Sequence, residues 1–198
     1  MQTIVRIETK FGSIRVALDE AAAPITTTNF LAYVEEGLYD RGKFHRTVRL
    51  DNQSNSNLGK EAIGKGIDPG SDRTQLPNDK IAIEVIQGGV NPEREDELGD
   101  PIPLERTSET GLAHVDGTIS MARLTPDSAV ADFFICINDQ PSLDFGGMRN
   151  PDGQGFAAFG HVIEGMDVVR TIQDQPSEGQ RLDPLVTITR IVREGDER

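Results

Sequence analysis

The chain has 198 residues, with 33 acidic and 20 basic side chains and a formal net charge of −13. That balance excludes a general nucleic-acid binder, which needs surplus cations for phosphate, and it disfavours anionic membrane surfaces. The single cysteine, Cys136, rules out an intrachain disulfide, and no apolar run approaches the roughly 20 residues of a membrane-spanning helix.

Val5 and Ile7, then Ile14, Val16 and Leu18, alternate with polar neighbours on either side of Gly12. This predicts a β-hairpin over residues 3–9 and 13–18. Pro24 and the cluster Thr26–Asn29 suit a helix start. Phe30, Leu31, Val34 and Leu38 follow at helical spacing, and Gly37 is its stop. Residues 44–48 read as a short strand. Residues 51–80 are polar and Gly-rich, with too few apolar side chains for a core element, and are expected to be a long surface insertion. Ile81, Ile83 and Val85 resume strand alternation up to Gln87-Gly88-Gly89.

A second polar stretch, residues 91–110, sets Glu93, Glu95, Asp96, Glu97, Asp100, Glu105 and Glu109 against Arg94 and Arg106. It lacks the ordered spacing of a calcium loop and is expected to be an inserted, solvated acidic loop. Strand-like runs follow at 117–123, 132–138 and 156–163. A short helix is expected over 165–174, with Met166, Val169 and Ile172 on one face, and a closing strand over 185–192. There is no internal repeat and no linker. Many short strands with turn signals and two peripheral helices predict a mainly β single domain spanning 1–198, built as a closed barrel.

Few residues outside the strands offer independent chemistry. His45, His114 and His161 lack metal-ligand spacing, so no metal is expected. Cys136 lies in a strand and reads as a small core residue. There is no G-x-S-x-G and no phosphate-binding loop of the Walker type. Residues 1–9 contain no signal-peptide core. The lone cysteine is compatible with a reducing cytoplasm or, if a leader has been removed, a periplasm.

The motifs Phe44-His45-Arg46, Gln87-Gly88-Gly89, residues 117–122 (G-T-I-S-M-A), residues 132–136 (D-F-F-I-C), Leu143-Asp144 and residues 159–166 (F-G-H-V-I-E-G-M) occur in that order. The succession resembles the cyclophilin-type peptidyl-prolyl cis-trans isomerases, in a divergent, bacterial-type form. The resemblance covers nearly the whole chain apart from 51–80 and 91–110. It implies a closed antiparallel eight-stranded barrel, acceleration of X–Pro bond rotation in polypeptides, no cofactor and a monomer. Arg46 would hydrogen-bond the proline nitrogen of the twisted amide, and Gln87 would orient Arg46 and meet substrate backbone. Phe134 would floor the proline pocket. Adjacent strand residues face opposite ways, so Phe133 can fill the barrel while Phe134 lines the groove. Val85 and Leu143 would wall the pocket, and Ala122 and Arg123 match the stretch whose backbone pairs with the peptide.

The chain departs from the family pattern in several places. Asp132 replaces a common groove Gln. Glu84-Val85 stand where Phe-Met is frequent, a smaller or polar wall unless Ile83 compensates. Phe156 most nearly takes the place of a pocket histidine. Ser142 stands where many members have a tryptophan that contacts cyclosporin, which implies weak binding of that drug. These departures keep an alternative open, a cyclophilin-like peptide-binding module with weak catalysis.

Overall fold

The computed structural model describes residues 2–53 and 81–195. Apart from Asp51–Gln53, the insertion expected over 51–80 lies outside the described residues.

The first hairpin forms as its alternation requires, β1 (Ile4–Thr9) pairing with β2 (Gly12–Leu18). Gly12 sits at φ +130, and a Cβ there would meet Val168 Cγ2 at 2.9 Å, so the turn needs glycine on both counts. Helix α1 (Pro24–Glu35) follows, then β3 (Lys43–Val48) and β4 (Val85–Gly89). A 3-10 segment (Pro92–Glu97) and the one-turn α2 (Thr107–Thr110) lead to β5 (Thr118–Met121) and β6 (Phe133–Cys136). The chain ends with β7 (Ala158–Glu164), α3 (Met166–Gln173), the two-residue β8 (Ser177–Glu178) and the long β9 (Arg181–Arg193).

The strands pair antiparallel in the order β1-β2-β7-β5-β6-β4-β3-β9, and β9 returns to β1. Eight strands therefore close into a barrel, which removes exposed edges, and β8 only extends β9. Inward rows run straight across strands: Ile86 on β4 opposes Ile135 on β6, which opposes Ile119 on β5, and all three are fully buried. Phe30 of α1 plugs the barrel, its ring 5.2 Å from Tyr39 and Phe159 and 5.8 Å from Phe133 between centroids. Tilted and edge-on rings at these separations gain more than area burial alone. Helix α3 buries Val168, Val169 and Ile172, one residue removed from the expected face, while Met166 is only partly covered.

Three segments differ from the sequence reading. The strand after the insertion begins at Val85, not Ile81, because Ile83 spends its backbone on a side chain: Gln53 accepts from its N–H at 2.9 Å and donates to its carbonyl at 2.7 Å. The amide of Gln53 thus stands in for a paired strand where the chain leaves and re-enters the described structure. Second, β9 starts at Arg181, four residues earlier than expected, because the polar run R-L-D-P disguises a strand end that pairs with β3 and β8. Third, residues 91–110 are not wholly a solvated loop. Leu104 is buried, Ile102 and Leu98 pack on the core, and Ile102 bridges Ala129.

The same segment caps α1. Ala23, at the N-cap, supplies no side-chain acceptor; instead the Glu105 carboxylate accepts from the backbone N–H of Ile25 (3.0 Å) and Thr26 (2.8 Å) and from the Thr26 hydroxyl (2.6 Å). An acid at a helix N-terminus is favoured both by the orphan donors and by the helix dipole.

Removing the Phe133 ring, which meets Phe30, Tyr39 and Phe44 edge-on, is expected to be severe. Phe133→Ala should lose about 3–5 kcal/mol of unfolding free energy in urea titration. A loss below about 1 kcal/mol would mean that this aromatic cluster does not hold the barrel.

Candidate active site

A strand that buries Phe44 should, by strict alternation, send His45 outward and Arg46 back into the barrel. The register shows otherwise: Phe44 opposes Gly88 and Arg46 opposes Gln87, with a bulge at His45 between them. The extra residue resets the alternation, so Arg46 emerges on the same outer face as Gln87. Without it Arg46 would oppose Ile86, which is fully buried. From Arg46 the register carries on to Gln87 on β4, Phe134 on β6 and Ser120 on β5. Residues scattered over the sequence become one cross-strand row.

A groove of about 400 Å³ lies over this row. It brings together every residue singled out from the sequence: Arg46, Gln87 and Phe134, the walls Val85, Leu143 and Phe156, and Ala122, Arg123 and Asp132. Beneath it Phe134, Val85, Leu143, Val48, Ile83 and Cys136 form a second apolar cluster outside the barrel, with Ala122 and Phe156 packed against it. Ile83 supplies the wall that Glu84 cannot; the Glu84 carboxylate instead accepts from Asn138 at 2.9 Å. Burial pushes the Cys136 thiol up, and it is a core residue.

Arg46 is gripped from two sides. Gln180 Oε1 accepts from its Nε (2.9 Å) and Nη2 (2.7 Å), and Gln87 Oε1 accepts from Nη1 (3.0 Å). Gln180, which sequence reasoning missed, is buried in the turn between β8 and β9, and its own carbonyl accepts from the Thr47 N–H. No local pattern flags a Gln in a polar turn 134 positions from its partner. Gln87 Nε2 in turn donates to Asp132 Oδ2 at 3.1 Å, and His45 Nε2 meets the same oxygen at 3.0 Å. A carboxylate only accepts and a guanidinium only donates, so the amide of Gln87 is locked with its carbonyl toward Arg46. Gly89 permits this, because a Cβ there would fall on Asp132 Oδ1.

Phe134 is braced twice. The ring of His114 stacks on it, 6.0 Å between centroids and 16° from parallel. His114 Nδ1 lies 2.7 Å from Asp144 Oδ1, and Nε2 lies 2.9 Å from Ser120 Oγ. The order of contacts is that of an Asp–His–Ser hydrolase, but Ser120 is 0% exposed and behind Phe134, so no substrate can reach it. On the other side Phe156 meets Phe134 edge-on at 5.6 Å, and the Arg123 guanidinium lies 4.9 Å from the Phe156 centroid. Arg123 is in turn clamped by both oxygens of Asp152, at 2.7 and 2.9 Å, and by the carbonyl of Gly155. Its side chain is 1% exposed, so its guanidinium braces the wall of the groove from behind.

The other end of the groove is set from α1 and beyond. Asn29 Nδ2 donates to the Val130 carbonyl at 2.7 Å and the Tyr39 hydroxyl to the Ala131 carbonyl at 2.8 Å. Leu98, from the acidic segment, lines this end as well. Arg149, also unforeseen, is buried at the groove and donates to the Ile81 carbonyl at 2.7 Å.

The fold is that of the cyclophilins. A crystal structure of a Cryptosporidium parvum cyclophilin-type isomerase, determined in the presence of the dipeptide Ala-Pro, superimposes with a TM-score of 0.67 at 21% identity, covering 98% of this chain and 99% of that one. The sequence places it further: the family model described as cyclophilin type peptidyl-prolyl cis-trans isomerase/CLD matches residues 4–193. A peptidyl-prolyl cis-trans isomerase of Streptomyces antibioticus is 32% identical over 85% of this chain and 82% of its own length. One of Acinetobacter baylyi is 31% identical over 88% and 74%. The chain belongs to the cyclophilin-type peptidyl-prolyl cis-trans isomerase family, and its activity is the rotation of X–Pro bonds.

Burial acts to raise both bracing carboxyls. At Asp144 the hydrogen bonds from the His114 ring and backbone outweigh it, and at Asp152 those from Arg123 and the Gln154 N–H do; both sit below the usual carboxylate range. A depressed folded value adds stability that is complete above the unfolded value, about 3.9, and is lost as pH falls through the folded one. Asp152→Asn removes one such contribution. Its melting temperature at pH 7 should fall, and its further decline from pH 5 to pH 2.5 should be shallower than in the native protein. Parallel curves in circular-dichroism melts would show that Asp152 carries no such linkage.

Proposed function

We propose that Arg46, Gln87 and Phe134 carry the isomerisation, with Val85, Leu143 and Phe156 walling the proline ring and Ala122, Arg123 and Asp132 meeting the peptide. The substrates are extended, Pro-containing polypeptides, handled by a monomer without a cofactor. The chain is grouped with bacterial members, a placing supported by the two bacterial relatives above.

The chemistry follows from the amide. An X–Pro bond turns over a barrier of about 18–20 kcal/mol, taking tens to hundreds of seconds unaided. The planar amide is polar through resonance, and rotation breaks that resonance. An apolar pocket therefore favours the twisted form by solvating the planar dipole poorly. The proline nitrogen recovers its lone pair only when twisted, so a donor aimed at it binds the transition state and not the ground state. No nucleophile, proton transfer or redox step is involved. The observation that carries this reading is the Gln180–Arg46–Gln87 clamp, which holds a guanidinium at the rim of a pocket floored by Phe134. A pre-organised donor costs no reorganisation as the amide twists.

The test is an isomerisation assay on a short X–Pro peptide. Arg46→Ala is expected to lower kcat/KM at least tenfold, about 1.4 kcal/mol or more. Arg46→Lys should also be poor, since a point charge cannot be held by two carbonyls as the planar fork is. Native turnover in Arg46→Ala would overturn this mechanism. Gln180→Leu, which leaves Arg46 in place but releases Nε and Nη2, should reduce kcat more than it raises KM. An effect on KM alone would make Gln180 a binding residue and not a positioning one.

A further inference from the structure

We propose that Asp132 makes the groove selective for X–Pro segments that carry a lysine or arginine close to the proline. The proposal rests on the isomerase reading above and deepens it, naming the substrate class of the same groove.

The argument begins with how Asp132 is held. Its Oδ2 is committed to Gln87 Nε2 and His45 Nε2, at 3.1 and 3.0 Å. Among the described residues Oδ1 accepts no hydrogen bond, and it lies over the bare backbone of Gly89. The side chain is 43% exposed and borders the groove. It is therefore a fixed anion with one oxygen presented, and binding a cation need not freeze it further.

The arginines that line the groove have partners of their own. Arg123 is turned inward and neutralised by Asp152, and Arg149 is buried with its Nη1 on the Ile81 carbonyl. Arg46 lies at the other end of the Gln87 amide. A substrate thus meets a cation aimed at the amide and, one side chain away, an anion. Leu98 also lines the groove, and its chain neighbours Glu95, Asp96 and Asp100 are exposed and carry the same sign as Asp132. A neutral glutamine at position 132 could hold Gln87 but would offer no such discrimination.

The experiment compares peptides identical but for one residue, which is lysine, norleucine or glutamate, moved through the positions flanking X–Pro. At one position or more, kcat/KM for lysine should exceed that for norleucine about threefold to fivefold, the range of a partly exposed ion pair. Glutamate should fall below norleucine, and about 0.5 M NaCl should shrink the ratio toward one. Asp132→Asn, which removes the charge and keeps the shape, should abolish the ratio whatever it does to turnover, and Asp132→Glu should restore part of it. A ratio near one at every position in the native protein, or one that survives in Asp132→Asn, overturns the proposal. Loss of turnover on every peptide would contradict the isomerase roles instead, and the same ratio would then be read from dissociation constants by NMR titration.

Discussion

Everything at the groove depends on a single conflict in β3. The strand must deliver Phe44 to the barrel core, where it meets Phe133 at 5.8 Å, and yet deliver Arg46, two residues later, to the outside. A regular strand cannot do both. The bulge at His45 resolves the conflict, and its by-product is that His45 reaches Asp132. The arginine, its two glutamine clamps and the carboxylate that orients one of them all follow from that extra residue. A bulge locally disrupts ladder pairing, so it persists where the surrounding register over-determines it. Here β4 on one side and β9 on the other fix β3, and Gln180 adds both a backbone and a side-chain contact.

The pocket floor solves a second problem. Phe134 lies outside the barrel, in a small apolar cluster of its own. Two braces reinforce that cluster, and both end on carboxylates of one irregular loop, Asp144 through His114 and Asp152 through Arg123 and Phe156. Each brace puts a polar group behind an apolar surface while satisfying it completely, the condition under which burying polar atoms rigidifies a site. The loop therefore has little regular structure and still positions the wall, because its order comes from charged and aromatic contacts and not from ladder hydrogen bonds.

These features were unequally legible in the sequence. The hairpin, α1, the inward rows and the opposite faces of Phe133 and Phe134 were readable because periodicity encodes burial directly. The nine candidate residues that line the groove could be picked out because six of them sit within the ordered motifs and Val85, Arg123 and Phe156 lie close beside them. What was hidden lacked any local signature. The bulge is a register event between two strands separated in sequence by 37 positions, 85 − 48. Gln180, Glu105 and Gln53 act through side chains that replace backbone partners, and composition files such residues as loop. The acidic segment illustrates the same blindness: its charges are conspicuous, whereas Leu98, Ile102 and Leu104, which tie it to the body, are spaced too irregularly to register as an element.

The row Arg46–Gln87–Phe134–Ser120 also explains why a hydrolase-like arrangement can exist in a barrel whose reaction needs no nucleophile. Ser120 and Phe134 are cross-strand partners, so the space behind the Phe134 ring is where the Ser120 side chain and whatever bonds it must lie. A histidine fits that space well, because its face stacks on the ring while its two nitrogens satisfy a hydroxyl on one edge and a carboxylate on the other. An apolar residue there would leave Ser120 Oγ and Asp144 without these partners, at the cost of buried, unpaired polar groups. The Asp–His–Ser geometry is thus a packing solution for the back of an aromatic pocket. Burial, not contact order, is what separates it from a catalytic triad.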